Sequence, residues 1–275
     1  MLFSKIKKHL LLFYIQFNES KTLKSMLFHK DPTLDIIVDC FKKLKSNKFE
    51  AREIEVFRQR KKYRDSLLKD TRRISFEIFG TNNPILVKDI CKKASSPSIW
   101  GKLFYLITSK FQNINILEMG TNLGISGGFF LEAIKDKQNS FFVTMEGVDE
   151  LCSIAQNEFL KIINVEKFNI YQGLYENTFP KLLQTHYEFD MVFIDGNHKK
   201  QSTLEYFNAL KIKLKHPSII IFDDINWSCE MSEAWEIIKT DEIVAYSIDF
   251  YKLGIVIINS EKPSSPVHYH LHLSY

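Results

Sequence analysis

The sequence predicts an α/β fold: a doubly wound, mainly parallel sheet of seven strands with an antiparallel hairpin at one edge, preceded by a helical extension. Three observations carry that prediction. From residue 114 onward, five short apolar runs alternate with segments of helical spacing, a pattern that pairs strands in parallel through right-handed crossovers. A stretch of small residues, "NILEMGTNLGISGGFF" at 115–130, leads the first of these runs directly into a helix. The last two apolar runs are separated by only a few residues, which closes an antiparallel hairpin and leaves no room for a crossover.

Taken in order, residues 1–95 read as basic helices joined by polar breaks. The run "HLLLFYIQF" at 9–17 is too short to cross a bilayer and is followed by no small-residue cleavage site, so it reads as a helix docked on the core. Lysines at 5, 7 and 8 beside it keep peripheral contact with a membrane surface open as the alternative. "PTLDIIVDCFKKLK" at 32–45 has apolar residues three and four apart and reads as an amphipathic helix. Strand signals are nearly absent in this part. "TNNP" at 81–84 and "ASSPS" at 94–98 are the breaks, and the second marks the boundary between the extension and a main domain spanning 96–262, with a tail at 263–275. The candidate strands are 114–119, 140–146, 168–173, 189–195, 218–224, 242–249 and 253–259, with helical segments such as "LCSIAQNEFLKII" and "STLEYFNALKIKL" between the first five.

A chain of 275 residues with 45% hydrophobic content can bury a full core. Cysteines 40, 91, 152 and 229 lack the paired spacing of a zinc knuckle or a disulfide framework, which suits a reduced, cytoplasmic setting. The charge is uneven: residues 1–100 hold 22 Lys and Arg against 11 Asp and Glu, and the remainder 15 against 22. An anionic partner for the basic part is one reading, and solvated helix faces are the other. "RQRKKYRD" has helical periodicity and no interleaved aromatics, so no sequence-specific nucleic-acid site is indicated. Assembly of like copies stays an option.

In an open parallel sheet, ligands bind beyond the carboxyl ends of the strands, where strand order reverses. The first strand ends in Glu118-Met119-Gly120-Thr121-Asn122-Leu123-Gly124, with Ser126 opening the next helix. Gly120 permits a tight turn and Gly124 lets a ligand approach a helix N-terminus; tight helix–strand packing would require the same glycines. The pattern is not G-x-G-x-x-G. A carboxylate at Glu118 would repel a pyrophosphate and favour a ligand carrying an ammonium or sulfonium charge. Glu146, ending the second strand, can accept hydrogen bonds from both hydroxyls of a ribose, or simply cap the helix that follows. Gly173 and Asp195 end the third and fourth strands.

With "LEMGTNLGIS", the acid of "VTMEG", "YQG", "FDMVFIDGNH" and "IIIFDDINW" on one chain, residues 114–259 resemble a class I S-adenosylmethionine-dependent methyltransferase with a Rossmann-like sheet. The "FIDGNH" and "FDDINW" pair is similar to the O-methyltransferase group that includes metal-dependent sugar and small-molecule methyltransferases. The resemblance implies that Gly120, Thr121, Asn122, Gly124 and Ser126 hold the methionine portion of S-adenosylmethionine, with Glu118 near its amino group. It further implies Glu146 on the ribose, Gly147 and Gly173 beside the adenine and ribose, and Asp195 at the cofactor's edge.

Asp195, Asp223 and Asp224 end two strands; if neighbours, these lie roughly 4.8 Å apart, close enough to share a cation such as Mg2+. The resemblance implies such a metal on the acceptor's oxygens, whereas Asp224 as a helix N-cap and Asp223 as a turn acid would serve structure alone. His198, three residues past Asp195, is suited to take a proton from an acceptor hydroxyl, with a solvated loop histidine as the plain alternative. Lys199 and Lys200 read as the solvated start of a helix, Trp227 as an acceptor wall or a core aromatic, and the histidines of "HYHLHL" as unassigned. The expected function is transfer of a methyl group to a hydroxyl of a sugar, glycan or small molecule. The alternatives are a nicotinamide-dependent oxidoreductase, disfavoured by Glu118 and the missing glycine fingerprint, and a non-catalytic binding or scaffold protein.

Overall fold

A computed structural model of the protein describes residues 2–273, with side chains from His9 onward except that of Asn82. The lysines at 5, 7 and 8 and the last two tail residues therefore lie outside the described side chains. Helices α1 (Leu2–Phe28), α2 (Pro32–Ser46) and α3 (Ala51–Leu67) come first. Asp31 caps α2 by accepting from the N–H groups of Thr33 and Leu34, and Pro32 sits where no intrahelical donor is needed. A hairpin of β1 (Arg73–Phe76) and β2 (Thr81–Leu86) follows, then α4 (Val87–Lys93) and α5 (Ser98–Ser109). The expectation of an all-helical extension is corrected here: "TNNP", read as a break, lies inside a strand of a two-stranded sheet, where Pro84 costs no ladder bond on a free edge.

The main sheet is laid out β10-β8-β9-β7-β6-β3-β4-β5. Its strands are β3 (Asn115–Met119), β4 (Phe141–Glu146), β5 (Phe168–Gln172), β6 (Phe189–Ile194), β7 (Leu214–Phe222), β8 (Val244–Asp249), β9 (Gly254–Ile258) and β10 (Val267–His270). β3 to β7 run parallel, and their near-continuous apolar sequences match burial on both faces. The expected hairpin of β8 and β9 forms, but it is not an edge. β9 pairs antiparallel with both β7 and β8, and β10 adds parallel to β8, giving eight strands instead of seven. The tail's alternating "VHYH" is this outermost strand, with Tyr269 turned into the core.

Each face of the sheet carries a layer. Helices α5, α6 (Ile125–Ile134) and α7 (Asp149–Phe159) cover one, together with α2, whose Leu34, Ile37 and Phe41 share a core with Phe250, Leu253 and Ile255. Helices α8 (Tyr175–Leu183), α9 (Lys200–Leu210) and α10 (Cys229–Lys239) cover the other. Arg60 of α3 corrects the view of "RQRKKYRD" as a solvated face: it is buried, with Nη2 3.5 Å from Glu132 and 3.1 Å from Glu158. Strand order reverses at β3, between β4 and β6, and that switch point sets the place of the site.

Candidate active site

The strand ends at the switch point are tied to one another by backbone bonds. The N–H groups of Gly120 and Thr121 donate to Met145 O at 3.1 and 3.0 Å, Asp195 N–H to Met119 O at 2.8 Å, and Gly173 N–H to Glu146 O at 2.8 Å. Gly120 has φ +110°, and a Cβ there would stand 1.9 Å from the carbonyl oxygen of Asp195. A glycine is therefore required where two strand ends cross.

Beyond these ends opens a cavity of about 570 Å³, a size common for small-molecule sites. Of the residues expected at a cofactor, Gly120, Asn122, Glu146, Gly147, Gly173 and Asp195 line it. Thr121 and Ser126 border an adjoining recess with Ser95 and Ser96. Gly124 faces elsewhere: a Cβ there would meet Phe159 at 2.8 Å and Ala155 at 3.0 Å, so its missing side chain admits α7.

Glu118 lies beneath the turn, fully buried and outside the cavity lining. Ser126 Oγ donates to its Oε1 at 2.5 Å and Thr144 Oγ1 to its Oε2 at 2.8 Å, yet loss of water dominates and pushes its pKa up to about 8. Glu146 accepts from Asn122 N–H at 2.8 Å and Val148 N–H at 3.0 Å, which clamps the turn after β3 to the end of β4. Burial still raises its pKa against those two bonds. Asn122, at φ +48°, donates to Ala94 O at 2.9 Å and keeps its Oδ1 buried with no partner among the described atoms.

Burial raises the pKa of both Asp195 and Asp223, with Asp223 and Glu118 adding repulsion at Asp195, and Asp224 adding repulsion at Asp223. Among the described residues no group of three or more His, Cys, Asp or Glu stands where it could hold a metal ion. The expected set of Asp195, Asp223 and Asp224 is not among such groups. Asp224 is not a helix cap either: at φ +51° it forms a turn with Trp227 N–H, and Ser228 caps α10. His198 Nε2 stands 3.6 Å from Asp195 Oδ1, and burial lowers its pKa.

Several lining residues carry no signal in the sequence. Ile78 and Phe79, at the tip of the β1–β2 hairpin, line the cavity, with the Phe79 ring 2.8 Å from where a Cβ of Gly147 would be. Tyr175 and Tyr206 also line it, their rings 5.7 Å apart and edge to face. Lys199, expected to be merely solvated, also lines the cavity, whereas Lys200 pairs with Glu233 at 2.7 Å. Trp227 is 72% exposed, which removes the core reading.

Residues 117–225 match a family model described as a methyltransferase domain. In sequence the chain is similar to "Uncharacterized protein R132" of Acanthamoeba polyphaga mimivirus, 28% identical over 180 residues that cover 58% of this chain and 78% of that one. In structure it is similar to the O-methyltransferase from Bacillus cereus in complex with S-adenosylhomocysteine, at TM-score 0.53 and 19% identity over 70% of this chain and 91% of that one. It is likewise similar to the O-methyltransferase TomG from Streptomyces achromogenes, in complex with S-adenosylmethionine, at TM-score 0.52 and 20% identity over 61% and 82% of the two chains. The S-adenosylhomocysteine-bound methyltransferase PaMTH1 of Podospora anserina aligns at TM-score 0.52 and 17% identity over 71% and 92%. Residues 117–225 therefore match a methyltransferase-domain model, and the chain shares the fold of solved O-methyltransferases that hold S-adenosylmethionine or S-adenosylhomocysteine.

Proposed function

We propose that the protein is an S-adenosylmethionine-dependent O-methyltransferase that methylates a hydroxyl of a sugar, glycan or small molecule. The observation that carries the reading is Glu146: a carboxylate at the end of the second strand of a methyltransferase domain, on the wall of the switch-point cavity and oriented by two backbone N–H groups. The cavity also suits the cofactor through the unpartnered Asn122 Oδ1 and the side-chain-free Gly147 beneath Phe79. Glu146 would hold the ribose, Gly147 and Gly173 leave room for the nucleoside, and Gly120, Thr121, Asn122 and Ser126 border the methionine end, with Glu118 supporting the turn from below.

Bound S-adenosylmethionine supplies a methyl group already activated by its sulfonium charge, so the chain's own work is alignment, proton removal and exclusion of water. Ile78 and Phe79 are apolar parts of the cavity wall that would limit water at the bound cofactor. His198 is the proton acceptor. Burial lowers the histidine's pKa below the ordinary 6.5, so His198 is neutral and ready near pH 7. Metal assistance at Asp195, Asp223 and Asp224 is supported by donor chemistry alone and enters no step; recovery of turnover on adding Mg2+ after chelation tests it.

Calorimetric titration with S-adenosylhomocysteine tests the whole reading. Glu146→Ala should weaken binding by about 1–3 kcal/mol, the range for a hydrogen bond to a charged group. Unchanged affinity in the folded variant would remove the ribose assignment, and binding of NAD in place of S-adenosylhomocysteine would favour the oxidoreductase. Labelled methyl transfer across a panel of glycans and phenols identifies the acceptor.

A further inference from the structure

Helix α1 docks on the protein with one side and turns the other outward. Ile15 and Met26 are buried, and the helix packs against α2 and β10. At about 100° per residue, Leu10, Phe13, Tyr14, Phe17 and Phe28 gather on the opposite side, in a stripe roughly 100° wide and about 27 Å long. These five side chains are between 64% and 83% exposed. Lys21 and Lys24, both exposed, fall in the same stripe between Phe17 and Phe28. Glu19, the one acidic residue in the first thirty, points to the docked side and pairs with Lys45 of α2 at 3.1 Å. The outward stripe is thus aromatic and basic with no acid.

We propose that this stripe is a membrane-surface contact, on which α1 lies along an anionic bilayer with its aromatic side chains at the boundary of headgroups and acyl chains. The lysines select this occupant. An antiparallel pairing with a second copy would set Lys21 and Lys24 against the partner's Phe17 and Tyr14, and a parallel pairing would set them against themselves. Either arrangement buries four ammonium groups without a counter-charge. At a lipid surface the same lysines extend along the aromatic band and reach phosphates, gaining charge pairing in place of losing water. No helix among the described residues is long and apolar enough to cross a membrane, so the contact is along the surface.

Flotation of the full chain with vesicles tests this. Vesicles of phosphatidylcholine with about 30% phosphatidylserine should bind the protein at least roughly tenfold more tightly than phosphatidylcholine alone, with the difference shrinking as salt rises. Phe13→Ser/Phe17→Ser should lower binding about ten- to a hundredfold with an unchanged thermal unfolding midpoint, because both rings stand in solvent. Lys21→Glu/Lys24→Glu should abolish the preference for anionic vesicles. Failure of the wild type to float with anionic vesicles, or equal flotation by the phenylalanine variant, would overturn the proposal. So would a concentration-dependent dimer in sedimentation velocity that the phenylalanine variant dissociates, which would assign the stripe to a second copy.

Discussion

Replacing Glu118 by glutamine should stabilise the protein, and increasingly so as pH rises. The carboxyl is fully buried and its pKa is pushed up to about 8, against an ordinary value of 4.5. A raised carboxyl favours the folded state fully only below its unfolded pKa; that contribution is lost as pH climbs through the folded value, because the unfolded chain ionises first. From pH 5.5 to pH 8 the loss spans about 2.5 pH units at about 1.4 kcal/mol each, or roughly 3 kcal/mol. Glutamine has no such titration. Its amide oxygen can accept from Ser126 Oγ, and its amide nitrogen can donate to Thr144 Oγ1, whose own proton turns to Thr121 Oγ1 at 2.6 Å. Urea unfolding at the two pH values is the assay. The advantage of Glu118→Gln should grow by about 3 kcal/mol between them. A variant destabilised equally at pH 5.5 and pH 8 would show that Glu118 is ionised in the folded protein and that its two hydroxyl bonds outweigh burial.

Gly120→Ala should lower stability by about 2–4 kcal/mol and weaken S-adenosylhomocysteine binding together, since its Cβ would collide with the Asp195 carbonyl at 1.9 Å on a backbone of φ +110°; urea unfolding and calorimetry read the two. His198→Ala should cut turnover roughly 10²- to 10⁴-fold while leaving S-adenosylhomocysteine affinity intact. In the wild type the acid limb of kcat should fall below pH 6.5, because burial lowers this histidine's pKa and the neutral form is the active one. Arg60→Ala should cost about 1–3 kcal/mol in urea unfolding, since Glu132 and Glu158 lose their shared buried partner and keep only Lys135 and Lys161.

The parallel strands were legible because each is an apolar run closed by a glycine or an acid, and burial on both faces leaves no other pattern for them to take. The cavity's deep wall was legible for the same reason: Gly120, Glu146, Gly173 and Asp195 are strand ends, and strand ends at a switch point converge. Its outer wall was not. Phe79 reaches the site from a hairpin whose strands are four and six residues long, and nothing local separates "RISFEIFGTNNPIL" from a loop. β10 did carry a signal, the alternation of histidine with Tyr269, Leu271 and Leu273, which is the period of a strand, but a run that short in a tail left unassigned does not separate a strand from a loop. Arg60 was hidden among the four other basic residues of "RQRKKYRD", since burial of one charge depends on acids from α6 and α7 that lie more than seventy positions away.

The docking of α2 against Phe250, Leu253 and Ile255 has a consequence for synthesis of the chain. Phe41 meets Phe250 at 6.1 Å between ring centroids, and Asp31, the cap of α2, accepts from Asn259 Nδ2 at 2.8 Å. At about 5–20 residues per second, roughly 10–40 s separate the emergence of Phe41 from that of its partner. For that interval the apolar side of α2 has no sheet to cover it, so a growing chain depends on chaperones or on transient clustering with α5 until the last strands insert.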